Sequence, residues 1–245
     1  MNSEQTSSGD HSYFAFLDIL GYRQLLDADV KNGTVDFKDK MIRAFRAFDA
    51  INRSRYSHKA ISDSIFISCA DRNAAEEILH LLRRVFLGFL SEGLLIRGGV
   101  SFGAHFENQT ITYSPVLTQA YVLESEKAEH PRILVDDNIL EMFPHLRRSG
   151  IVLKSGRNWF INVAHNESFD DVWASAKATC DANRAAIDAN DRVRMKHRWL
   201  QDCLLELAHS RGIAAPSPYL RIFDDRLSPS CVPEVQQVAH PNAGG

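Results

Sequence analysis

The order of the apolar segments in the first hundred residues is the feature that most restricts the fold. A nearly unbroken apolar run at residues 12–19 predicts a strand buried on both faces. The elements predicted after it are a helix at 34–55 with Thr34 as N-cap, two short strands within 58–70, a helix opened by Asn73 and a strand at 94–103. Strand, helix, two strands, helix, strand is the order of ferredoxin-like folds, which contain a split βαβ unit.

The second half of the chain adds further strands and helices, so the predicted fold class is α+β. Strands are predicted at 110–113 and 132–135, a helix at 115–129, a hairpin at 150–163 and a long helical region from 170 to about 211. We therefore divide the chain into four parts: a flexible N-terminus at 1–11, one folded domain at 12–165, a C-terminal helical extension at 166–211 and an extended tail at 212–245.

Charge and composition exclude several classes of function. With 28 basic and 31 acidic residues the net charge is -3, which argues against binding nucleic acid or an anionic membrane. No apolar run reaches the length of a membrane span, and residues 1–11 lack an apolar signal core. The four cysteines are far apart and show no zinc-ligand spacing. We expect a cytoplasmic protein with free thiols and no structural metal.

Two aspartates sit where strand-forming sequence would favour apolar residues. Asp18 ends the first predicted strand, and Asp63 lies in the predicted turn at Ser62-Asp63-Ser64. These two strands are neighbours in a split βαβ sheet, so both carboxylates would face one rim, where they need a cation to coexist. Magnesium or manganese held by two aspartates and substrate phosphates is one solution. The alternative is that each aspartate only caps a turn or a helix.

Five stretches resemble, in the right order, the signatures of class III nucleotidyl cyclases. FAFLDILGY (14–22), KAISDSIFI (59–67) and IRGGVSFG (96–103) are similar to the first three. VLTQAYVLESEKAEHPRILV (116–135) resembles the family's next helix and strand, and RSGIVLKSG (148–156) its late hairpin. The resemblance spans residues 12–163. It implies that the ferredoxin-like core at 12–165 is a nucleotidyl cyclase catalytic domain.

The resemblance also implies roles for particular residues. Asp18 and Asp63 would hold two Mn²⁺ or Mg²⁺ ions per site, with the carbonyl of Ile19 completing the metal shell. Arg97 would contact the terminal phosphates and act with the aspartates in catalysis, and Lys154 matches a late phosphate-binding lysine. The alternatives are a surface ion pair for Arg97 and an exposed hairpin position for Lys154.

The candidate base-binding residues depart from the purine pattern. Lys59 matches the lysine that hydrogen-bonds the purine in adenylyl cyclases, although it is also typical of a solvated strand end. The position of the second purine reader is Ile111, which cannot accept a hydrogen bond. Tyr56 and Thr112 are the alternative base contacts, although Tyr56 is more typical of a partly buried tyrosine at a helix end.

The helix that follows departs from the family as well. Where the family carries Asn-x-Ala-x-Arg, this chain has Thr118, Ala120 and Val122. An arginine aimed at the transferring phosphoryl group supplies several powers of ten in rate, so its absence requires a substitute or an inactive enzyme. The basic run at 196–199 is one candidate substitute. A solvated basic face with Trp199 packed inward is the alternative that we favour.

One branch of the family shares this profile, the pyrimidine cyclases of bacterial antiphage (Pycsar) systems. They have a similar AYxLE…A…PRI stretch, which here begins at Ala120 and ends at Ile133. The resemblance implies a bacterial cytoplasmic enzyme that converts UTP or CTP into a 3′,5′-cyclic monophosphate and pyrophosphate. The product would activate a separately encoded effector. Because most members are thought to make cUMP, we favour a uridylate cyclase.

Family precedent also implies a head-to-tail homodimer with active sites at the interface. Lys154 and the base-binding residues would come from the chain opposite Asp18 and Asp63. Three alternatives remain: a purine cyclase, kept open by Lys59; an inactive nucleotide-binding regulatory module, motivated by Val122; and another palm-fold enzyme. A diguanylate cyclase would carry a Gly-Gly-Asp/Glu-Glu-Phe turn, which residues 61–65 lack.

Overall fold

The computed structural model describes residues 11–49, 51–108 and 110–221. Its strands are β1 (His11–Ile19), β2 (Tyr56–Ile61), β3 (Ser64–Cys69), β4 (Ile96–Ala104), β5 (Phe106–Glu107), β6 (Thr112–Tyr113), β7 (Ile133–Val135), β8 (Val152–Ser155) and β9 (Asn158–Ile161). Seven of them form one sheet in the order β2-β3-β1-β4-β7-β9-β8, and β5 pairs with β6 in a separate ribbon. Within the large sheet only β4 and β7 pair in parallel.

The helices are α1 (Tyr22–Asn32), α2 (Asp36–Ala44), α3 (Ala75–Ser91), α4 (Pro115–Val122), α5 (Asp137–Met142), α6 (Phe169–Ala182), α7 (Arg184–Ala189) and α8 (Asp191–Ser210). The first four strands follow the order β2-β3-β1-β4, with helices between β1 and β2 and between β3 and β4. This is the split βαβ arrangement. The α+β class and the ferredoxin-like core predicted from the sequence are confirmed.

Strand β1 is buried on both faces, as its apolar run predicts. Tyr13 and Leu17 belong to the main core, which lies between the sheet and α3. Phe14 and Phe16 point to the opposite face and pack against Val116 and Ala120 of α4. Because side chains alternate along a strand, the residue two after Phe16 continues on the α4 face. That residue is Asp18.

The segment between β1 and β2 differs from the prediction of a single helix. It contains α1 and α2, and α2 begins after Val35 rather than at Thr34. Asp29, near the end of α1, caps α2: its carboxylate accepts hydrogen bonds from the Phe37 N–H (3.0 Å) and the Thr34 hydroxyl (2.9 Å). Helix α1 was missed because none of its residues is buried, so it has no apolar stripe.

Two other predicted helix boundaries were wrong in detail. Asn73 does not cap α3, which begins after Ala74 without a side-chain cap. The helix predicted at 115–129 ends as an α-helix at Val122 and continues as a π-helical turn over Leu123–Lys127. A π turn of this kind rotates the residues after it relative to the preceding helix face.

The helical region predicted from 170 to about 211 consists of three helices, α6, α7 and α8. Leu200, Leu204 and Leu207 of α8 pack into the main core. The described part of the tail packs against α8 as well, because the Leu220 N–H donates to the Gln201 side-chain oxygen (2.6 Å). Most of the predicted flexible N-terminus and the tail beyond residue 221 lie outside the described residues. In the described part of the chain, no helix combines the length and apolarity that crossing a membrane requires.

Candidate active site

Asp18 and Asp63 lie at the same rim of the sheet. In the strand register Asp18 faces Ser64 of β3 on one side and Arg97 of β4 on the other. The β2–β3 turn folds onto the end of β1, where the Ile19 N–H donates to the Asp63 carbonyl (3.0 Å). Ser62 has a φ of 58°, a left-handed conformation that tightens this turn. The structure therefore brings the two aspartates together, as expected for neighbouring strands.

Arg97 contacts the first of these carboxylates. Its Nε lies 3.3 Å from Asp18 Oδ2. Burial raises the pKa of Asp18, the Arg97 guanidinium opposes this, and Asp63 raises it further. The net upward shift means that burial, with the smaller repulsion from Asp63, outweighs the stabilisation that Arg97 gives the carboxylate.

A third carboxylate, Glu124, belongs to this cluster, and sequence reasoning missed it. Its Oε1 lies 2.7 Å from Arg97 Nε, and the residue is only 3% exposed. The angle at that contact is too poor for a hydrogen bond, which leaves Oε1 without a hydrogen-bond partner. Burial, with repulsion from Asp18 and Asp63, raises the pKa of Glu124 to about 7. One sequence signal was available, because Glu124 follows buried Val116 and Ala120 at four-residue spacing.

Gly99 lets the π turn approach close enough to place Glu124. A Cβ atom at Gly99 would lie 2.4 Å from the Cβ of Leu123 and 2.6 Å from the carbonyl oxygen of Ala120. Only glycine permits such an approach between strand and helix. Gly99 therefore serves the contact with α4, and Glu124 reaches Arg97 as a result, whereas a Cβ atom at Gly98 would collide with Leu17 of β1.

Helix α8 brings a second cation near the cluster. Lys196 interacts electrostatically with Asp18, which lowers the pKa of that carboxyl, while its own pKa is lowered by burial and by Arg97. Trp199, one turn later, packs inward: its ring centre lies 5.3 Å from that of His130 and 5.5 Å from that of Phe160. The run at 196–199 thus places Trp199 inward and Lys196 at the edge of the carboxylate cluster.

The carboxylates are compatible with a divalent cation whose remaining coordination positions are filled by substrate oxygens. Among the described residues no three histidine, cysteine or acidic side chains are arranged to hold a metal on their own. Asp18 and Asp63 supply two carboxylates, the donor type that Mg²⁺ and Mn²⁺ prefer, and Mg²⁺ is commonly held by one or two carboxylates with substrate phosphates. Oε1 of Glu124 accepts no hydrogen bond, and burial disfavours the charged form of Asp18, so a cation bound here would stabilise both carboxylates.

A cavity of about 340 Å³ opens on the same face of the sheet, between β2, β3 and the β5–β6 ribbon. Lys59 and Thr112 both line it, together with Ser57, Ser68 and Glu107. Phe14 forms part of its wall, and Asp18 lies four residues further along β1, roughly 13 Å away at strand spacing. Two of the four candidate base-binding residues are therefore brought together in one cavity.

The other two candidates lie elsewhere. Tyr56 is buried on the opposite face, where its hydroxyl donates to Glu77 Oε2 (3.2 Å) and burial raises its pKa to about 12. Ile111 is 55% exposed, next to the β5–β6 ribbon, and does not line the cavity. Side chains alternate between the two faces of the sheet along β2. Tyr56 and Lys59 are three positions apart and therefore lie on opposite faces.

Lys154 is far from Asp18 in the same chain. It lies on the edge strand β8, with its ammonium 5.3 Å from the centre of the Trp159 ring. Four strand spacings separate β8 from β1, which corresponds to roughly 19 Å. One protomer therefore does not bring Lys154 to the carboxylate cluster.

Comparisons with known proteins found similarity at the level of structure. No protein-family model matches the chain, and no curated protein sequence matches it. The guanylyl cyclase domain of the RhoGC fusion protein from the aquatic fungus Blastocladiella emersonii aligns with 10% identity and a TM-score of 0.46, over 62% of this chain and 95% of its own. The guanylate cyclase domain of RhGC from Catenaria anguillulae, solved with GTP, aligns with 12% identity and a TM-score of 0.44, over 62% and 96%. A bacterial light-regulated adenylyl cyclase aligns with 13% identity and a TM-score of 0.45, over 69% and 97%.

Proposed function

We propose that this chain is a nucleotidyl cyclase that converts UTP, or CTP, into a 3′,5′-cyclic pyrimidine monophosphate and pyrophosphate. The observation that carries the proposal is the convergence of Asp18, Asp63 and Arg97 at one rim of a split βαβ sheet. The same three residues stand at the matching positions of three successive cyclase-like motifs. Carboxylates beside an arginine suit a substrate with a reactive triphosphate.

Asp18 and Asp63 would hold Mn²⁺ or Mg²⁺. When bound, such ions lower the pKa of the ribose 3′-hydroxyl and neutralise charge on the departing pyrophosphate. In the reaction the 3′-oxygen forms a bond to the α-phosphorus, the bond from that phosphorus to the β-phosphate oxygen breaks, and the hydroxyl proton leaves to solvent. On substrate binding, Arg97 would give up its contact with Asp18 and bind the β- and γ-phosphates. Its contact with Glu124 would hold the Arg97 guanidinium at the rim.

The cavity lined by Lys59 and Thr112 is the proposed base-binding pocket. Its polar groups, which include Ser57 and Ser68, offer hydrogen bonds to the carbonyl and imino groups of a pyrimidine. Ile111 supplies no acceptor for a purine amino group. A purine cyclase is the second candidate, because Lys59 lines the pocket and matches a purine reader.

We further propose that the active unit is a head-to-tail homodimer in which Lys154 and the base-binding pocket of one protomer serve the Asp18–Asp63 cluster of the other. The separation of Lys154 from Asp18 within one chain favours this arrangement. By resemblance to the pyrimidine cyclases of antiphage systems, the cyclic product would act as a second messenger. Its target would be a cyclic-nucleotide-activated effector in the bacterial cytoplasm.

The test is incubation of the purified protein with Mn²⁺ and each of the four ribonucleoside triphosphates separately, beside an Asp63→Ala variant. Products are identified by mass spectrometry. A cyclic pyrimidine monophosphate from the intact protein alone supports the proposal, and the active triphosphate identifies the base. Cyclic AMP or cyclic GMP would establish the purine alternative. Nucleotide binding without any product would favour a regulatory module. It would also indicate that Val122, in place of the family's arginine, accounts for the lack of catalysis.

A further inference from the structure

Lys196 differs from its basic neighbours on α8. Arg194 pairs with Asp188 at 3.3 Å, and Arg198 pairs with Asp202 at 2.8 Å. Lys196 makes neither an ion pair nor a hydrogen bond with any residue in the described ranges, although its side chain is partly buried. Burial of an ammonium without a partner costs free energy, and it lowers the pKa of this lysine. An anionic ligand would remove that cost.

The position of Lys196 is set by the packing of Trp199. The Trp199 ring stacks on His130 with an angle of 8° between the planes, and the Arg132 guanidinium lies 5.4 Å from its ring centre. Because residues three apart share one face of a helix, Lys196 lies on the same side of α8, one turn earlier. His130 is two residues after Ala128, whose carbonyl accepts from Arg97 Nη1 at 3.4 Å. The packed rings therefore fix the face of α8 that carries Lys196, beside the segment that Arg97 contacts.

The groups around Lys196 match a polyphosphate better than a protein partner. Arg97 lowers the pKa of Lys196 and Asp18 opposes this, so the ammonium lies within electrostatic range of both. Arg97 and Lys196 are two cations held at one rim, one already paired with Asp18 and Glu124 and the other unpaired. Two neighbouring cations repel each other unless an anion with several negative oxygens lies between them.

We propose that Lys196 binds the triphosphate of the nucleotide at this rim, together with Arg97, and so acts as a substrate-contacting residue supplied by the C-terminal extension. This inference rests on the proposed function, because it takes the carboxylate cluster to be the place where the triphosphate lies. It gives α8 a role in the active site. It also supplies a cation to a site where α4 carries the apolar Val122 in the position of the family's arginine.

The experiment compares the intact protein with Lys196→Gln, Lys196→Arg and, as a matched control, Arg194→Gln on the same helix. Calorimetric titrations in Mn²⁺ use the non-cyclisable α,β-methylene analogue of UTP, uridine and inorganic tripolyphosphate. We expect Lys196→Gln to bind the analogue and tripolyphosphate at least about tenfold more weakly, the usual size of a lost charge-assisted contact, with uridine affinity unchanged. Lys196→Arg should recover most of the loss, and Arg194→Gln should bind all three as the intact protein does.

Two results would overturn the inference. The first is that Lys196→Gln binds the analogue and tripolyphosphate with full affinity. The second is that it loses uridine and analogue affinity equally together with thermal stability, which is the mark of a purely structural role. If the intact protein binds the UTP analogue and turns over UTP, such results refute only the role of Lys196. If the intact protein binds no nucleoside triphosphate, the proposed function fails. In that case the inference that Lys196 binds phosphates is kept only if the intact protein binds tripolyphosphate and Lys196→Gln does not.

Discussion

Arg97 is shared between two carboxylates, and this arrangement determines how the site responds to ligands. Its Nε lies 3.3 Å from Asp18 and 2.7 Å from Glu124, so the side chain occupies space beside a proposed metal ligand. A cation entering at Asp18 must displace one of these contacts. The contact with Asp18 is the longer of the two and involves the more exposed carboxylate, so we expect it to be the one that is displaced.

The Arg97→Gln variant tests this competition. Without the guanidinium, Asp18 loses the cation that it pairs with, and we expect Mn²⁺ to bind the nucleotide-free protein more tightly, by roughly tenfold for about 1.4 kcal/mol of relieved repulsion. Cyclase activity should fall by at least about a hundredfold, since the phosphates lose a charged donor. Electron paramagnetic resonance of free Mn²⁺ measures the affinity, with Arg192→Gln as the control. Unchanged or weaker Mn²⁺ binding by Arg97→Gln would contradict the competition.

At the scale of residues, the sequence predicts the two aspartates and Arg97 but not Glu124, and it names Lys196 only within the basic run at 196–199. Asp18 and Asp63 each interrupt an apolar strand pattern, and the topology then places them together. Glu124 and Lys196 stand in helices among other charged residues, where polar side chains are ordinary. The only signal for the burial of Glu124 is its four-residue spacing from Val116 and Ala120, and the burial of Lys196 depends on the docking of Trp199, which leaves no periodic signal. Tyr56 was selected by chain proximity to Lys59, which does not reveal on which face of β2 it lies.

At the scale of elements, the close contact between β4 and the end of α4 leaves no room for a larger side chain. A side chain at Gly99 would collide with Leu123 and Ala120, so the helix would have to move away from the strand. We expect Gly99→Ala to lower the free energy of unfolding by about 1–3 kcal/mol, as overpacked core positions do. We also expect it to reduce cyclase activity, because Glu124 would no longer meet Arg97.

Urea denaturation and product assays measure the two effects. Gly103→Ala is the matched control in the same strand, since a Cβ atom there would lie 3.3 Å from its nearest neighbour, the Cβ of Val116. The control should be clearly less destabilised. Equal effects from the two substitutions would show that the contact of Gly99 with α4 has no special importance.

Helix α8 carries a histidine that makes its docking sensitive to acid. His197 is 3% exposed, and burial, with repulsion from Arg184 and Lys196, lowers its pKa from 6.5 to about 4. Between these values the unfolded chain binds more protons than the folded one, so stability falls as the pH decreases. From pH 7.5 to pH 5 the contribution of His197 amounts to a loss of about 2 kcal/mol.

The His197→Gln variant should lack this part of the pH dependence. Urea denaturation of both proteins at pH 7.5 and pH 5.0 measures it, and the comparison cancels the groups that they share. The difference in unfolding free energy between variant and intact protein should shift in favour of the variant at pH 5.0. A constant difference across the two pH values would mean that His197 is not buried in its neutral form.

At the scale of the whole molecule, the distance between Lys154 and Asp18 predicts complementation between inactive chains. Asp63→Ala and Lys154→Ala are each expected to be inactive as homodimers. Mixing and re-equilibrating them should form heterodimers in which one of the two sites has all native residues, and activity should return to about a quarter of the intact level. Product assays on the mixture measure this, with each variant alone as control. No recovery, with heterodimers shown by native mass spectrometry, would refute a shared site.

The sequence predicts the architecture of the molecule better than its periphery. The split βαβ order follows from apolar strands and amphipathic helices whose periodicity reflects burial on one core. Helix α1 has no fully buried residue and contacts the core only through partly buried Tyr22 and Leu25, so its pattern is weak, and its end is joined to α2 through Asp29. The backbone at Leu220 is held by two hydrogen bonds to the side chain of Gln201. Composition alone does not reveal such a contact.

The groups that meet around Arg97 are far apart along the polypeptide. Asp18 lies in β1, and Lys196 lies in α8, about 180 residues later. A ribosome adds roughly 5–20 residues per second, so an interval of about 9–36 seconds separates the synthesis of the two. In the later part of that interval, once Arg97 has been added, the nascent chain contains the two aspartates and Arg97 but not the helix that docks beside them. Assembly of this rim is therefore a late event in the life of each new chain, completed only after α8 has left the ribosome.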